Sequence, residues 1–401
     1  MTQNYEYILK TVQGYIYPNE VETQWAVLIV MYPYITGLVA GAFIVASLER
    51  LFKVAELKPT YRLSLLTAFA FLIVAPMPLL SHLGHPLRGF QIFLTPHLTS
   101  AMAAFGFVYL WYLLAVLCLE IWYDYRKDFV ERAQRFRGIK GAFYKALTLG
   151  VQDVSEEALK SDEKIGYIIT FIGLPSAILL HGYVGFIFGS VKANPWWASP
   201  LMPIIFLFSA MVSGVGLLII LYMVSCWLRK VTIDMLALDR LGAFLLYITI
   251  LNFGLESMEV LHMYYVSEES IDVIRELIND KIYVSYIWIQ MIIGTLLPLT
   301  ALTVARARLI GKSARKAVYL ASSALVMIGV FAMRWNVVIG GQLFSKSLHG
   351  FKIYDMEILG REGVLMTAFL FILAFIILYV LVKLFPPWED TRAIEEARLK
   401  L

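Results

Sequence analysis

Apolar residues run along this chain in long blocks, and polar residues are gathered into the gaps between them. Nine blocks stand out, at roughly 25–48, 63–83, 98–122, 165–189, 200–227, 241–265, 283–305, 317–340 and 363–385. A helix needs about 20 mostly apolar residues to cross the hydrocarbon core, and a single helix satisfies its own backbone polar groups there. The pattern predicts an all-α polytopic transmembrane bundle of about nine spans, arranged as two four-helix bundles plus an extra C-terminal helix. Small residues recur inside the blocks, as expected where helices pack closely. Pro76, Pro78, Pro175 and Pro298 fall inside spans and predict kinks. Residues 1–24 have no basic start and no apolar core, so they read as an outer arm rather than a signal peptide. Residues 25–345 form the transmembrane core and 346–385 an outer loop with the last span. Residues 386–401 form a tail, with a double-proline stop and then a short charged helix.

Composition strengthens this picture. Of the 401 residues, 60% are hydrophobic and 16% charged, and the mean hydropathy is +0.72. A soluble chain is about half apolar and about a quarter charged, so disorder, a fibrous repeat and a water-soluble enzyme are excluded. The only cysteines, Cys118 and Cys226, lie in apolar blocks. They are too few for a disulfide framework, or for an iron–sulfur cluster with its roughly four thiolates. The net charge of +4 reflects topology and does not point to nucleic acid. With the N-terminus outside, 25 of the 34 basic residues face the cytoplasm, in 49–62, 123–164, 228–240, 306–316 and the C-terminal end. Positive charge favours the cytoplasmic side, so the N-terminus is expected outside and the C-terminus inside. Segment 123–164 reads as a basic amphipathic helix lying on anionic lipid, followed by an acidic stretch.

Ionisable residues inside spans are costly and point to function by default. All six histidines fall on the outer half under this topology. His82 and His85 end the second span, and His97 precedes the third. His181 lies in the fourth, His262 ends the sixth, and His349 is in the last outer loop. Tyr34, Tyr183, Glu256, Glu259, Arg334 and Asn336 sit at similar depth. One polar cavity near the outer surface is the expectation. His82 also suits a headgroup contact, and His181 a packing role. Glu256, Glu259 and His262 follow one another at i, i+3, i+6 and suit a proton relay, while an ion pair with Arg334 fits the carboxylates equally well. Trp196, Trp197, Trp288 and Trp335 read as interfacial belt. The inner half offers Thr67, Ser209, Ser213 and Thr249, with Asn252 nearer the middle, so a pump's inner relay is missing and pumping stays open.

No metal-ligand spacing, P-loop or nucleotide fingerprint is present. A dihaem cytochrome needs histidines at both depths; a single outer haem on two of His82, His181 and His262 remains an alternative. A transporter or proton channel would place its ionisable groups at the midplane, on broken helices. An amphipathic cavity with His, Tyr, Arg, Asn and Glu suits a quinone, whose apolar ring carries two carbonyl oxygens that need donors and protons.

Several motifs in order carry a family resemblance: YITGLVAGAF, HLGHPLR with PHLTSAMAAFG, HGYVGFIFG, KANPWWASPLMPIIFLFSAMVSG and RWNVVIGGQ. Over residues 25–345 the chain resembles the NrfD/PsrC family of quinone-reactive membrane subunits, and its length is more similar to the HybB/DsrP-type members. The resemblance implies a bound, exchangeable menaquinone or ubiquinone, with no haem or iron–sulfur cluster in this chain. It also implies a four-cluster ferredoxin-like iron–sulfur subunit on the outer face, and a molybdenum bis-pterin catalytic subunit or a hydrogenase beyond it. Sulfur-compound reduction is the preferred direction and hydrogen oxidation the alternative. Tyr183 matches the family's quinone-contacting tyrosine. The short polysulfide reductase subunit has an Asn and a His on its first helix where this chain has Ile29 and Tyr32, leaving Tyr32, Tyr34 and His82 to substitute.

Overall fold

The computed structural model describes residues 13–95, 97, 99–266 and 270–388, with side chains at all of these except 13, 101–105 and 266. Among them, nine helices are long and apolar enough to span a membrane. They are α1 Val27–Phe52, α2 Ala55–His82, α3 Gly106–Arg135, α4 Glu156–Gly189, α5 Met202–Leu228, α6 Met235–Tyr265, α7 Val284–Arg306, α8 Lys312–Gly340 and α9 Val364–Leu384. The chain is a multi-pass membrane protein. Helices α1 to α4 make one four-helix bundle and α5 to α8 a second; α1 and α5 join the two, and α9 lies against α1 and α2.

Small residues set the close crossings. A methyl group on Gly41 of α1 would stand 2.8 Å from the Gly214 Cα of α5, and one on Gly329 of α8 would stand 2.6 Å from the Gly294 Cα of α7. Lipid tails are as apolar as leucine, so helices in a bilayer gain most from such backbone approach.

Pro76 breaks α2 between Lys58–Val74 and Met77–His82. In α7, wide π-type turns run through Val284–Leu296, and the regular coil resumes with Pro298 in its first turn. Pro175 remains inside α4, as does Pro33 inside α1.

At the basic end the helices outrun the apolar blocks. Helix α3 continues unbroken to Arg135, and α4 starts at Glu156, where the Ser155 hydroxyl accepts the Ala158 N–H at 3.3 Å. Segment 123–164 is therefore mostly extension of α3 and α4, joined through a short helix at Gly138–Leu147, and not a separate interfacial helix. Its charges face one another. Arg62 reaches Asp124 and Asp128, each at 2.8 Å, and Arg126 reaches Asp162 at 2.7 Å.

At the other end, β1 Gln13–Tyr15 pairs antiparallel with β2 His349–Phe351. Buried Glu20 accepts the Lys346 backbone N–H at 2.9 Å and faces Lys352 at 3.8 Å. Burial holds the Lys352 ammonium below the usual lysine range, against the pull of Glu20. The start of the expected arm and the charged helix expected in the tail lie outside the described residues.

Candidate functional site

The centre of the site is a guanidinium surrounded by neutral groups. Arg334 on α8 is fully buried. Its Nη2 donates to the Ser209 hydroxyl of α5 at 2.7 Å and the Phe206 carbonyl at 3.2 Å, and lies 3.0 Å from His181 Nε2 of α4. A guanidinium only donates, so this imidazole nitrogen accepts. The Arg334 Cζ lies 3.9 Å from the centre of the Phe206 ring, and its Nη1 reaches the Met333 sulfur at 3.1 Å. Among the described residues no carboxylate comes within 4.0 Å of Arg334, and its Nε has no hydrogen-bond partner. Gly37 makes room for the imidazole: a methyl group there would stand 3.2 Å from His181 Cε1.

Beside this cluster a second polar string crosses α6, α7 and α8. Asn252 donates to Glu256 Oε1 at 2.8 Å, and Gln290 donates to Glu256 Oε2 at 3.0 Å. Asn336 donates to the Gln290 side-chain amide oxygen Oε1 at 2.8 Å and accepts from the Ser285 hydroxyl at 2.6 Å. A cavity of about 50 Å³ adjoins the string; Glu256, Glu259, Gln290 and Asn336 meet Met202, Met263 and Met333 around it. Met333 thus touches both clusters.

Asn336 opens a wide π-type turn, Asn336–Gly340, a feature often found at functional positions. Its carbonyls are met from the segment before α5. Trp196 Nε1 donates to Asn336 O at 3.0 Å, Trp197 Nε1 to Val337 O at 2.6 Å, and the Asn194 amide to Gly341 O at 2.6 Å. Both tryptophans are buried, at 7% exposure, so they are structural donors and not interfacial belt. Only glycine fits at Gly341, because a Cβ there would overlap the Trp197 ring.

The remaining candidates are spread out. The Tyr34 hydroxyl donates to Met327 O at 3.2 Å, its ring packs on Phe331 and Phe371, and it lies within electrostatic reach of Arg334. Tyr183 is half-buried; two residues past His181, it occupies a different face of α4, stacked 6.3 Å from Phe186 and within electrostatic reach of Tyr32. His82 pairs with Glu362 at 2.9 Å at the rim between α2 and α9. Glu256 and Glu259 share the cavity, whereas the His262 side chain is exposed and does not line it. His85, His97 and His349 are exposed as well. The expected single cavity gathering the histidines is instead two adjoining clusters that hold only His181, because an i+6 spacing carries His262 round α6 and away from the bundle.

Three features carry no motif that marks them in the sequence. Gln290 is a lone amide in the apolar run YIWIQMIIG, and it links Glu256 to Asn336. Ser209, expected on the inner half, is a partner of Arg334. Glu120, near the basic end of α3, is fully buried; it accepts from Thr170 at 2.7 Å and Tyr61 at 3.3 Å, with Arg50 at 3.9 Å. The basic half therefore does hold a buried ionisable group. Among the described residues no group of three His, Cys, Asp or Glu is placed to hold a metal ion.

Comparison with known proteins adds the relatives. A family described as polysulphide reductase, NrfD, matches residues 18–346. A selenate reductase subunit of Mesobacillus selenatarsenatis is 31% identical over 325 residues, which cover 79% of this chain and 74% of that protein. A putative dimethyl sulfoxide reductase membrane subunit of Halobacterium salinarum is 30% identical over 222 residues, 55% of this chain and 48% of the relative.

Proposed function

This chain belongs to the NrfD family, and from that premise we propose that, as the membrane subunit of a reductase complex, it is the quinone-reactive anchor. The observation that carries the reading is the buried Arg334, whose partners are an imidazole, a hydroxyl, a carbonyl, a thioether and a ring. An ionised group buried in a membrane protein needs a compensating electron-rich partner. A carbonyl oxygen of a quinone headgroup supplies one, and the free Arg334 Nε–H is a donor for it.

A bound quinone supplies two-electron, two-proton redox chemistry. The chain's own residues supply the rest. Arg334 holds the electron-rich oxygen, and His181 accepts or returns a proton beside it. Glu256, with Asn252, Gln290 and Asn336, carries protons away through the second bundle. Small-molecule pockets usually enclose about 300–1,000 Å³, and this cavity is about 50 Å³. Admission of a ring therefore requires Met202, Met263 and Met333 to shift, which unbranched thioethers do readily. From the first bundle, Tyr34 lies within electrostatic reach of Arg334.

In the full reading the basic end lies in the cytoplasm of a bacterial-type inner membrane. The opposite end docks a ferredoxin-like iron–sulfur subunit, and a molybdenum bis-pterin subunit reduces a sulfur or selenium compound beyond it. The names of the relatives, which speak of selenate and dimethyl sulfoxide, favour that direction over hydrogen oxidation. A second reading, proton translocation, is favoured by Glu120, an ionisable group on the basic half. In the purified complex, Arg334→Met is expected to lower quinol-linked turnover about 100-fold, comparable to removing one preorganised donor, while dye-linked activity of the partner subunits persists. Loss of both activities, or of neither, would overturn the assignment.

A further inference from the structure

A wide cavity lies at the basic end, away from Arg334, where α1 to α4 emerge. Its volume is about 930 Å³. Arg50, Lys53, Lys58, Arg62, Lys127, Lys160 and Lys164 line it, against Glu49, Asp124, Asp162 and Glu163. Two of the four acids are already committed. Asp124 serves Arg62 and Arg50, at 2.8 Å and 3.6 Å, and Asp162 serves Arg126, which is outside the lining. Lys127 and Lys160 lean on Glu131 and Glu156, also outside it. The walls carry seven basic side chains against four acidic ones, with Lys53, Lys58 and Lys164 exposed among them.

One wall has a graded polarity. Lys160, Lys164, Tyr167 and Phe171 follow one another on a face of α4 at spacings of four, three and four residues. Lys164 is exposed, Tyr167 is 44% exposed and Phe171 is 63% exposed, with Ile168 at 48% beside them. The order along the helix is cation, then phenol, then bare apolar ring. That order matches an anionic headgroup, its glycerol region and its acyl chains, whereas a soluble anion needs no apolar strip below it. Phe52, at the end of α1 next to the lining residue Lys53, is 64% exposed and adds apolar surface nearby.

We propose that this cavity is a binding site for the phosphodiester headgroup of an anionic phospholipid, with the acyl chains lying along Tyr167, Ile168 and Phe171. Lys53, Lys58 and Lys164 provide the attraction, and the Arg50 and Arg62 guanidinia, fixed by Asp124, form the floor. The site is distinct from the Arg334 clusters and does not depend on the quinone reading. A bound lipid would tie together the extended ends of α1, α2, α3 and α4.

The test uses the full chain in its complex, stripped of lipid in detergent and offered phosphatidylglycerol or phosphatidylcholine, with retained lipid counted by native mass spectrometry. Retention of phosphatidylglycerol over phosphatidylcholine by at least tenfold is expected. Each lysine near an anionic lipid surface is worth about 1 kcal/mol, so Lys53→Gln, Lys58→Gln and Lys164→Gln should each weaken retention about fivefold. Lys281→Gln and Lys346→Gln, at the opposite end, should leave it unchanged. Equal retention of the two lipids by the wild-type complex would overturn the proposal without any variant. So would displacement of the lipid by millimolar inorganic phosphate, which would assign the cavity to a soluble anion. Unchanged retention in Lys164→Gln would also overturn it.

Discussion

Arg62 and Arg334 are both almost fully enclosed, yet the two ends of the molecule treat them in opposite ways. Near the basic end, Arg62 is held by Asp124 and Asp128 at 2.8 Å each and by the Asp124 carbonyl at 2.7 Å, with its Cζ 4.4 Å from the Tyr125 ring centre. Every part of that guanidinium is answered by the protein. Arg334, toward the other end, is surrounded only by neutral partners and keeps one N–H unanswered among the described residues. A saturated arginine acts as a clamp between helices. One whose nearest acidic influence, Glu256, acts only from beyond 4.0 Å is costly to keep, and a ligand that completes it offsets that cost.

The contrast can be broken most forcefully at Arg62. Arg62→Ala leaves Asp124 and Asp128 facing each other without their shared cation, and breaking such a buried pair costs about 3–5 kcal/mol. A large loss of thermal stability in detergent is expected, with quinol-linked turnover of the surviving folded fraction unchanged. Arg334→Met should behave in the reverse way, since an apolar side chain of similar volume replaces a cation that has no carboxylate in direct contact. If Arg334→Met unfolds the protein as readily as Arg62→Ala, the two arginines do the same job and the distinction fails.

A smaller effect is expected at Gln290. Gln290→Leu cuts the connection between Glu256 and Asn336 and should slow quinol-linked turnover about tenfold, less than the roughly 100-fold or more expected for losing a direct proton donor or acceptor. The loss should be greater when turnover is measured in deuterated water, and an unchanged solvent isotope effect would remove Gln290 from the proton route. The smallest effects belong to the rim. His262→Ala and His82→Ala should each leave turnover within about twofold of wild type, because the His262 side chain is exposed and the His82–Glu362 pair sits at the rim, outside both clusters. A tenfold loss in either would bring that histidine back into the site.

How much of this was legible in the sequence follows from what hydropathy can carry. The nine spans were readable because a bilayer demands unbroken apolar length. Their charged extensions were not, since Leu119–Arg135 and Glu156–Lys164 keep the helical period after losing the apolar character. What stabilises them is pairing between distant segments, such as Arg126 with Asp162. Arg334 and His181 were each conspicuous as polar residues in apolar runs, but their contact joins positions 153 residues apart. Trp196 and Trp197 misled because tryptophan near a span end is usually interfacial. Here their N–H groups are needed by the loosened carbonyls of Asn336 and Val337. Gln290 and Glu120 carried a signal that depth alone could have weighed, a single amide or carboxyl inside a span.

The most direct measurement is the binding of a fluorescent quinol-site inhibitor to the complex in nanodiscs, titrated against wild type and Arg334→Met under the same lipid. The account predicts saturable quenching with one site per wild-type chain, and at least a tenfold weaker Kd in the variant with its fold intact. Equal affinity in the two proteins would contradict the claim that the unanswered guanidinium is what receives the quinone.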